Sequence, residues 1–132
     1  MTFNEIRIAI TSRMAAWSDA PVAYDGSPTS EAVTQAQGNK TPWTRLTIQH
    51  GASFTAGIGV NPHVRHTGLI VVQIFAAPNA GTRTGMELAD SIAAHMQYYT
   101  SGHLETLAAS LFRVGEVNGY FQLNLSIPFR AG

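Results

Sequence analysis

The stretch Gly68-Leu69-Ile70-Val71-Val72-Gln73-Ile74-Phe75 constrains the fold more than any other. Successive side chains of a strand point to opposite faces. Ile70, Val72 and Ile74 therefore share one face, and Leu69, Val71 and Phe75 share the other. A strand with one wet side alternates apolar and polar residues; here both sides are apolar. That predicts a central strand over Arg65–Ala77, covered on both faces at least in part.

The rest of the chain must supply its neighbours and its cover. Thr2-Phe3-Asn4-Glu5 reads as a capping box. Phe3, Ile6, Ile10, Met14 and Trp17 then trace one helical face, and Ser18-Asp19-Ala20-Pro21 ends it. Val22–Tyr24 is a short strand. Trp43–His50 is a strand with Leu46 and Ile48 on one face, followed by a turn at His50-Gly51-Ala52. Phe54, Ala56, Ile58 and Val60 alternate with polar or small residues until Asn61-Pro62 breaks the run. A second helix is expected from Thr84, capped by Thr84 and Glu87, with Leu88, Ala89, Ile92, Met96 and Tyr99 inward. Leu104–Val114 and Tyr120–Phe129 read as strands joined by a turn over Gly115–Gly119.

Two helices cover only one face of such a sheet. The expectation is a single α+β domain over residues 1–132, mostly antiparallel, with both helices on one face and the order α-β-β-β-β-α-β-β. Asp25–Thr41, DGSPTSEAVTQAQGNKT, is polar and small. It offers little burial against an ordering cost of about 1–2 kcal/mol per residue, and reads as a flexible loop. The second apolar face of the central strand then asks for cover from a neighbouring chain.

Composition agrees. Only 12% of residues are charged, about half the usual share. So little charge suits a chain that buries part of its outside against others. Eight basic residues balance eight acidic ones, which argues against a sequence-specific nucleic-acid grip. Cys is absent, so disulfides, zinc–cysteine sites and thiol catalysis are excluded. The start of the chain does not read as a secretion signal, and no apolar run nears the roughly 20 residues of a membrane span. The expectation is a soluble protein made in a cytosol.

The glycines between the central strand and the second helix invite a phosphate-loop reading. Gly81-Thr82-Arg83-Thr84-Gly85 has neither the spacing nor the Lys of a Walker loop, and no Gly-x-Gly-x-x-Gly is present. Free N–H groups at the helix start beside Arg83 leave an anion site as an alternative. The simpler reading is a strand stop at Pro78-Asn79, a bend at Gly81 and a cap at Thr84. His63 and His66 fall on opposite faces of a strand, a poor chelating geometry, and His95 sits at the boundary of a buried helix face. Glu87 and Asp90 suit the first turns of a helix without catalysis. No Ser lies in a nucleophile-elbow context. The sequence therefore predicts no catalytic residue, no metal site, no cofactor and no enzyme activity. Lys40, Trp43, Arg45, Arg65, Arg83 and Arg113 are the candidate interface residues, because Trp and Arg are enriched at interface hot spots.

Taken in order, these segments resemble bacteriophage tail terminator or tail completion proteins, of the small α/β type found in long-tailed phages. The resemblance rests on the N-terminal helix and its Pro-containing exit, and on Pro42-Trp43-Thr44-Arg45-Leu46-Thr47-Ile48 entering the sheet. It rests also on the Gly68–Phe75 strand with Pro78-Asn79-Ala80-Gly81 and the helix carrying Glu87-Leu88-Ala89-Asp90-Ser91-Ile92, and on the closing strand Tyr120–Phe129. The resemblance implies a homo-oligomeric ring of about six subunits at the head-proximal end of the tail tube. It implies that the ring stops tube polymerisation and offers a surface to head-completion proteins. The partners would be the tube protein and a head-completion protein, in the host cytoplasm during assembly and in the virion tail afterwards, with no membrane. The isolated subunit is expected to be monomeric at low concentration. The alternatives are another head–tail connector, a tail-tube subunit, or, more distantly, a small anion-binding domain or enzyme.

Overall fold

The computed structural model describes residues 1–57, 59 and 63–132. The expected alternation at Ile58 and Val60 and the break at Asn61-Pro62 lie outside the described residues.

Helix α1, Phe3–Ala15, opens with the capping box read from sequence: the Thr2 hydroxyl accepts from the Glu5 N–H, and the Glu5 carboxylate accepts from the Thr2 N–H. Ile6, Ile10 and Met14 are buried, with Trp17 just beyond the helix. Phe3 departs from the expected face. It is half exposed and rests against the rings of His50 and His66.

Strand β1, Val22–Tyr24, runs parallel to β2, Trp43–His50. Parallel neighbours need a crossover, usually helical. Here it is α2, Glu31–Asn39, which lies inside the segment 25–41 expected to be a structureless loop. Ser30 caps it by accepting from the Val33 N–H, and Lys40 ends it in the left-handed region. Composition missed this helix because it has only two buried anchors, Val33 and Ala36.

Strand β3, Phe54–Thr55, pairs with the start of β4, Val64–Ala76. Helix α3, Arg83–Met96, follows, then β5, Thr100–Ser101; β6, Leu104–Thr106; β7, Ser110–Val117; and β8, Tyr120–Ala131. The sheet runs β1-β2-β4-β8-β6-β5, with β7 also pairing β8 and β3 pairing β4. All pairs except β1–β2 are antiparallel.

The expected strand Leu104–Val114 is two. β6 pairs with β8 up to Phe129, and β7 begins opposite Ser126. Pro128 lies in the gap; it has no N–H to give the ladder. Its carbonyl instead accepts from the Leu107 N–H. The expected turn over Gly115–Gly119 shrinks to Asn118-Gly119, both at positive φ, as a two-residue hairpin requires. Gly115 carries a bulge in β7 instead.

The α3 start also differs. The helix begins one residue before Thr84, Thr82 occupies the cap position without a side-chain hydrogen bond, and Glu87 pairs with Arg83 at 2.7 Å rather than closing a capping box. Gly85 is buried because α3 crosses the sheet closely there: a Cβ would stand 3.0 Å from Leu123 Cδ1.

α1 and α3 share one face of the sheet, as expected. Leu46, Ile70, Val72, Ile74, Leu123, Leu125 and Ile127 meet Ile6, Ile10, Met14, Ile92 and Met96 there. The opposite face carries Trp43, Arg45, Leu69, Val71 and Phe75, and α2 covers one end of it. A second small core forms from Ala23, Val33, Ala36, Trp43 and Tyr120, with Phe75 against it. The rest of that face has no cover of its own among the described residues. Leu69 is 37% exposed, Val71 is half-buried, and Phe112 is 58% exposed.

Candidate assembly surfaces

The candidate interface residues fall into separate regions. Lys40, Trp43 and Arg45 come together at the α2 end of the second face. The Trp43 ring stacks on Phe75 at 4.2 Å, the Arg45 guanidinium lies 5.5 Å from the Trp43 ring, and the Lys40 ammonium sits 4.8 Å above the Tyr120 ring. Trp43 itself is only 5% exposed, so it supports this patch from beneath and is not an exposed anchor. Its indole N–H is buried without a hydrogen-bond partner. Lys40 and Arg45 are the groups presented to solvent.

Arg113 lies on β7, 5.5 Å from the Phe121 ring, at the far edge of the sheet. Arg83 is at the start of α3, tied to Glu87 and fully exposed; that carboxylate raises its already high pKa. Arg65 lies at the start of β4, beside a shallow pocket formed with His103, Glu105 and Arg130. The Glu105–Arg130 ion pair closes one side of that pocket.

Sequence reasoning did not point to two further surfaces. The first is a groove of about 730 Å³ between α1 and the sheet, lined by Phe3, Arg7, Asp25, Ile48 and His50 among others. It exists because β1 is short. β1 pairs with β2 only as far as Leu46, so Thr47–His50 is bonded to β4 on one side and to no strand on the other among the described residues. Tyr24, at the groove wall, has its phenol pKa raised by burial. The second is the outer edge of β7, which pairs with β8 alone and exposes Leu111, Phe112, Val114 and Val117. The alternation of Leu111, Phe112 and Val114 in sequence reads as ordinary strand, and only the topology shows that this strand is an edge.

The polar networks inside the molecule are structural. Trp17 Nε1 donates to Ser91 Oγ at 2.9 Å, and Ser91 in turn donates to Asp19. His95, one turn further along α3, gives its Nε2 proton to the Arg13 carbonyl, while Arg13 Nε donates to the His95 carbonyl. These bonds pin the end of α1 to α3. The imidazole is turned to a backbone oxygen and not to Ser91. Ser53 Oγ and His66 Nδ1 lie 2.6 Å apart at the surface. Among the described residues, no three His, Asp or Glu side chains converge as a metal site would require. No helix among them is long and apolar enough to cross a membrane.

Known proteins add to this geometry. A search of curated proteins finds no match. One solved structure superimposes with a TM-score of 0.74 at 16% identity, covering 100% of this chain and 96% of that one; at that identity the likeness shows the fold alone. The model of the family described as phage tail terminator protein matches residues 5–103, from α1 through the turn after β5. The matched span contains most of the α1 groove, Lys40, Trp43 and Arg45 of the α2 patch, and the central strand. The chain belongs to the phage tail terminator family.

Proposed function

We propose that this protein closes the head-proximal end of a phage tail tube as a ring of about six copies, stopping tube growth and presenting a surface for head joining. The supporting observation is the unfinished cover of the sheet in a terminator-family chain. One face is covered by α1 and α3, but on the other Leu69 and Phe112 are exposed and Val71 is half-buried. With charged residues at only 12%, a single copy has little charged surface to offset that exposure. A ring supplies the cover, and Lys40 and Arg45, held over aromatic rings, offer a charged rim to the tube or head partner.

The test is to grow tail tubes from purified tube protein with and without this chain and to image them by negative-stain electron microscopy. Short tubes bearing a disc at one end support the proposal. Tubes of unchanged length, without discs, contradict it. Tubes built from this chain alone would make it a tube subunit instead.

A further inference from the structure

We infer that adjacent copies join edge to edge, with β7 of one copy added to the free Thr47–His50 edge of β2 in the next, above the α1 groove. The inference rests on the ring reading above and names an edge contact of that ring, separate from the cover of Leu69 and Val71 on the second face.

Each edge lacks a partner in a single chain. β7 is bonded to β8 on one side only, and β2 from Thr47 to His50 is bonded to β4 only. Natural edge strands are usually short, charged or covered. β7 is eight residues long and carries Leu111, Phe112, Val114 and Val117 at 36–58% exposure, which is the profile of a strand awaiting a neighbour. The bulge at Gly115 and the charges of Arg113 and Glu116 are its local protections.

The charges match across the two edges. Arg113 and Glu116 stand opposite Leu123 and Phe121 in the ladder, so both point to the helix-covered face of the sheet. The groove beside β2 lies on the same face and carries Asp25 and Arg7. Among the described residues, none of these four side chains is in an ion pair. Arg113 with Asp25 and Glu116 with Arg7 give two opposite-sign pairs. On that face Leu111 of β7, which stands opposite Leu125, is set to meet exposed Phe3 and half-buried Ile48 in the groove.

The two edges also differ from each other. β7 binding β7 would close at two copies. β7 binding β2 is a head-to-tail contact, which closes into a ring when the rotation permits.

The experiment uses charge reversal in the full chain. Arg113→Glu and Asp25→Arg each replace a proposed attraction with a repulsion. Both positions are exposed, so folding is unaffected and is checked by the melting curve. Each single variant is expected to weaken self-association, measured by sedimentation, by about tenfold or more. The double variant, with the charges exchanged, is expected to recover most of the loss. A second measurement exploits the absence of native Cys. Gln49→Cys and Ser110→Cys chains, mixed and oxidised, should cross-link to each other and not to themselves. Single reversals that associate like the unaltered chain, a double variant no better than either single, or Ser110→Cys chains that cross-link mainly to themselves would each overturn the contact. Rings that still cap tubes despite Arg113→Glu would remove this contact and leave the capping role standing. Cross-links that form as expected on a chain that leaves tubes uncapped would do the reverse.

Discussion

Helix α2 is held to the sheet by very little, and its anchor can be weakened in a controlled way. Val33 is fully buried between Trp43, Tyr120 and Ala36 in the small second core. Val33→Ala removes two methyl-sized groups, worth about 1.6 kcal/mol in transfer, and the residual cavity raises the cost to about 2 kcal/mol. The alanine is a better helix former, so the loss is of docking and not of propensity. If α2 opens as a local unit, about 2 kcal/mol multiplies its open population by roughly 25–30. Amide hydrogen exchange read residue by residue tests this. Amides of Glu31–Asn39 should exchange about 25–30-fold faster in the variant, while those of β4 and β8 keep their protection. Equal acceleration across β4 would show that α2 opens only when the whole domain unfolds. No acceleration in α2 would show that Val33 is not its anchor. Either result refutes the view of α2 as a lightly fastened cover, and with it the expectation of a mobile 25–41 segment in the free subunit.

Gly68→Ala should destabilise the domain by about 1–3 kcal/mol, lowering the melting temperature by about 5–15 °C, because a Cβ there stands 2.5 Å from Phe129 Cζ and also strikes the Gln49 carbonyl. An unchanged melting temperature would mean that β2 and β8 move apart at that point easily. Glu5 has its pKa lowered below the ordinary 4.5, chiefly by the Thr2 backbone N–H and then by the Thr2 hydroxyl. A lowered folded-state pKa gives stability that is present above the ordinary value and lost as pH falls through the lowered one. The urea midpoint of Glu5→Gln should therefore trail that of the unaltered chain at neutral pH and converge with it below pH 4.5. Arg83→Ala should leave the melting temperature unchanged within error, since its ion pair with Glu87 is solvent-exposed at both ends.

Local chemistry was legible in the sequence, and long-range pairing was not. The Thr2–Glu5 capping box and the inward face of Ile6, Ile10 and Met14 depend on neighbours within a turn or two, and they form as expected. The two-faced apolar pattern of β4 correctly placed it at the centre of the sheet. α2 was missed because its reason for being is remote: β1 pairs in parallel with β2, which turns a polar segment into a crossover. The division of β6 from β7 depends on Pro128, twenty or so residues downstream. At the surface, the six interface candidates stood as one set in the sequence, and only the fold brings Lys40 beside Trp43 and Arg45. That Trp43 lies beneath the patch depends on α2, which packs over it. The two free edges had no signature of their own, since an edge is defined by the partner it lacks.

On this reading one copy leaves sheet surface that other copies cover at the tube end. Native mass spectrometry of the free chain, and of the chain released from short capped tubes by gentle dissociation, reads out that difference. Monomer in dilute solution and a single closed species of about six chains from the tube ends is the expected result. A monomer recovered from capped tubes, or a continuous ladder of open oligomers, would refute it.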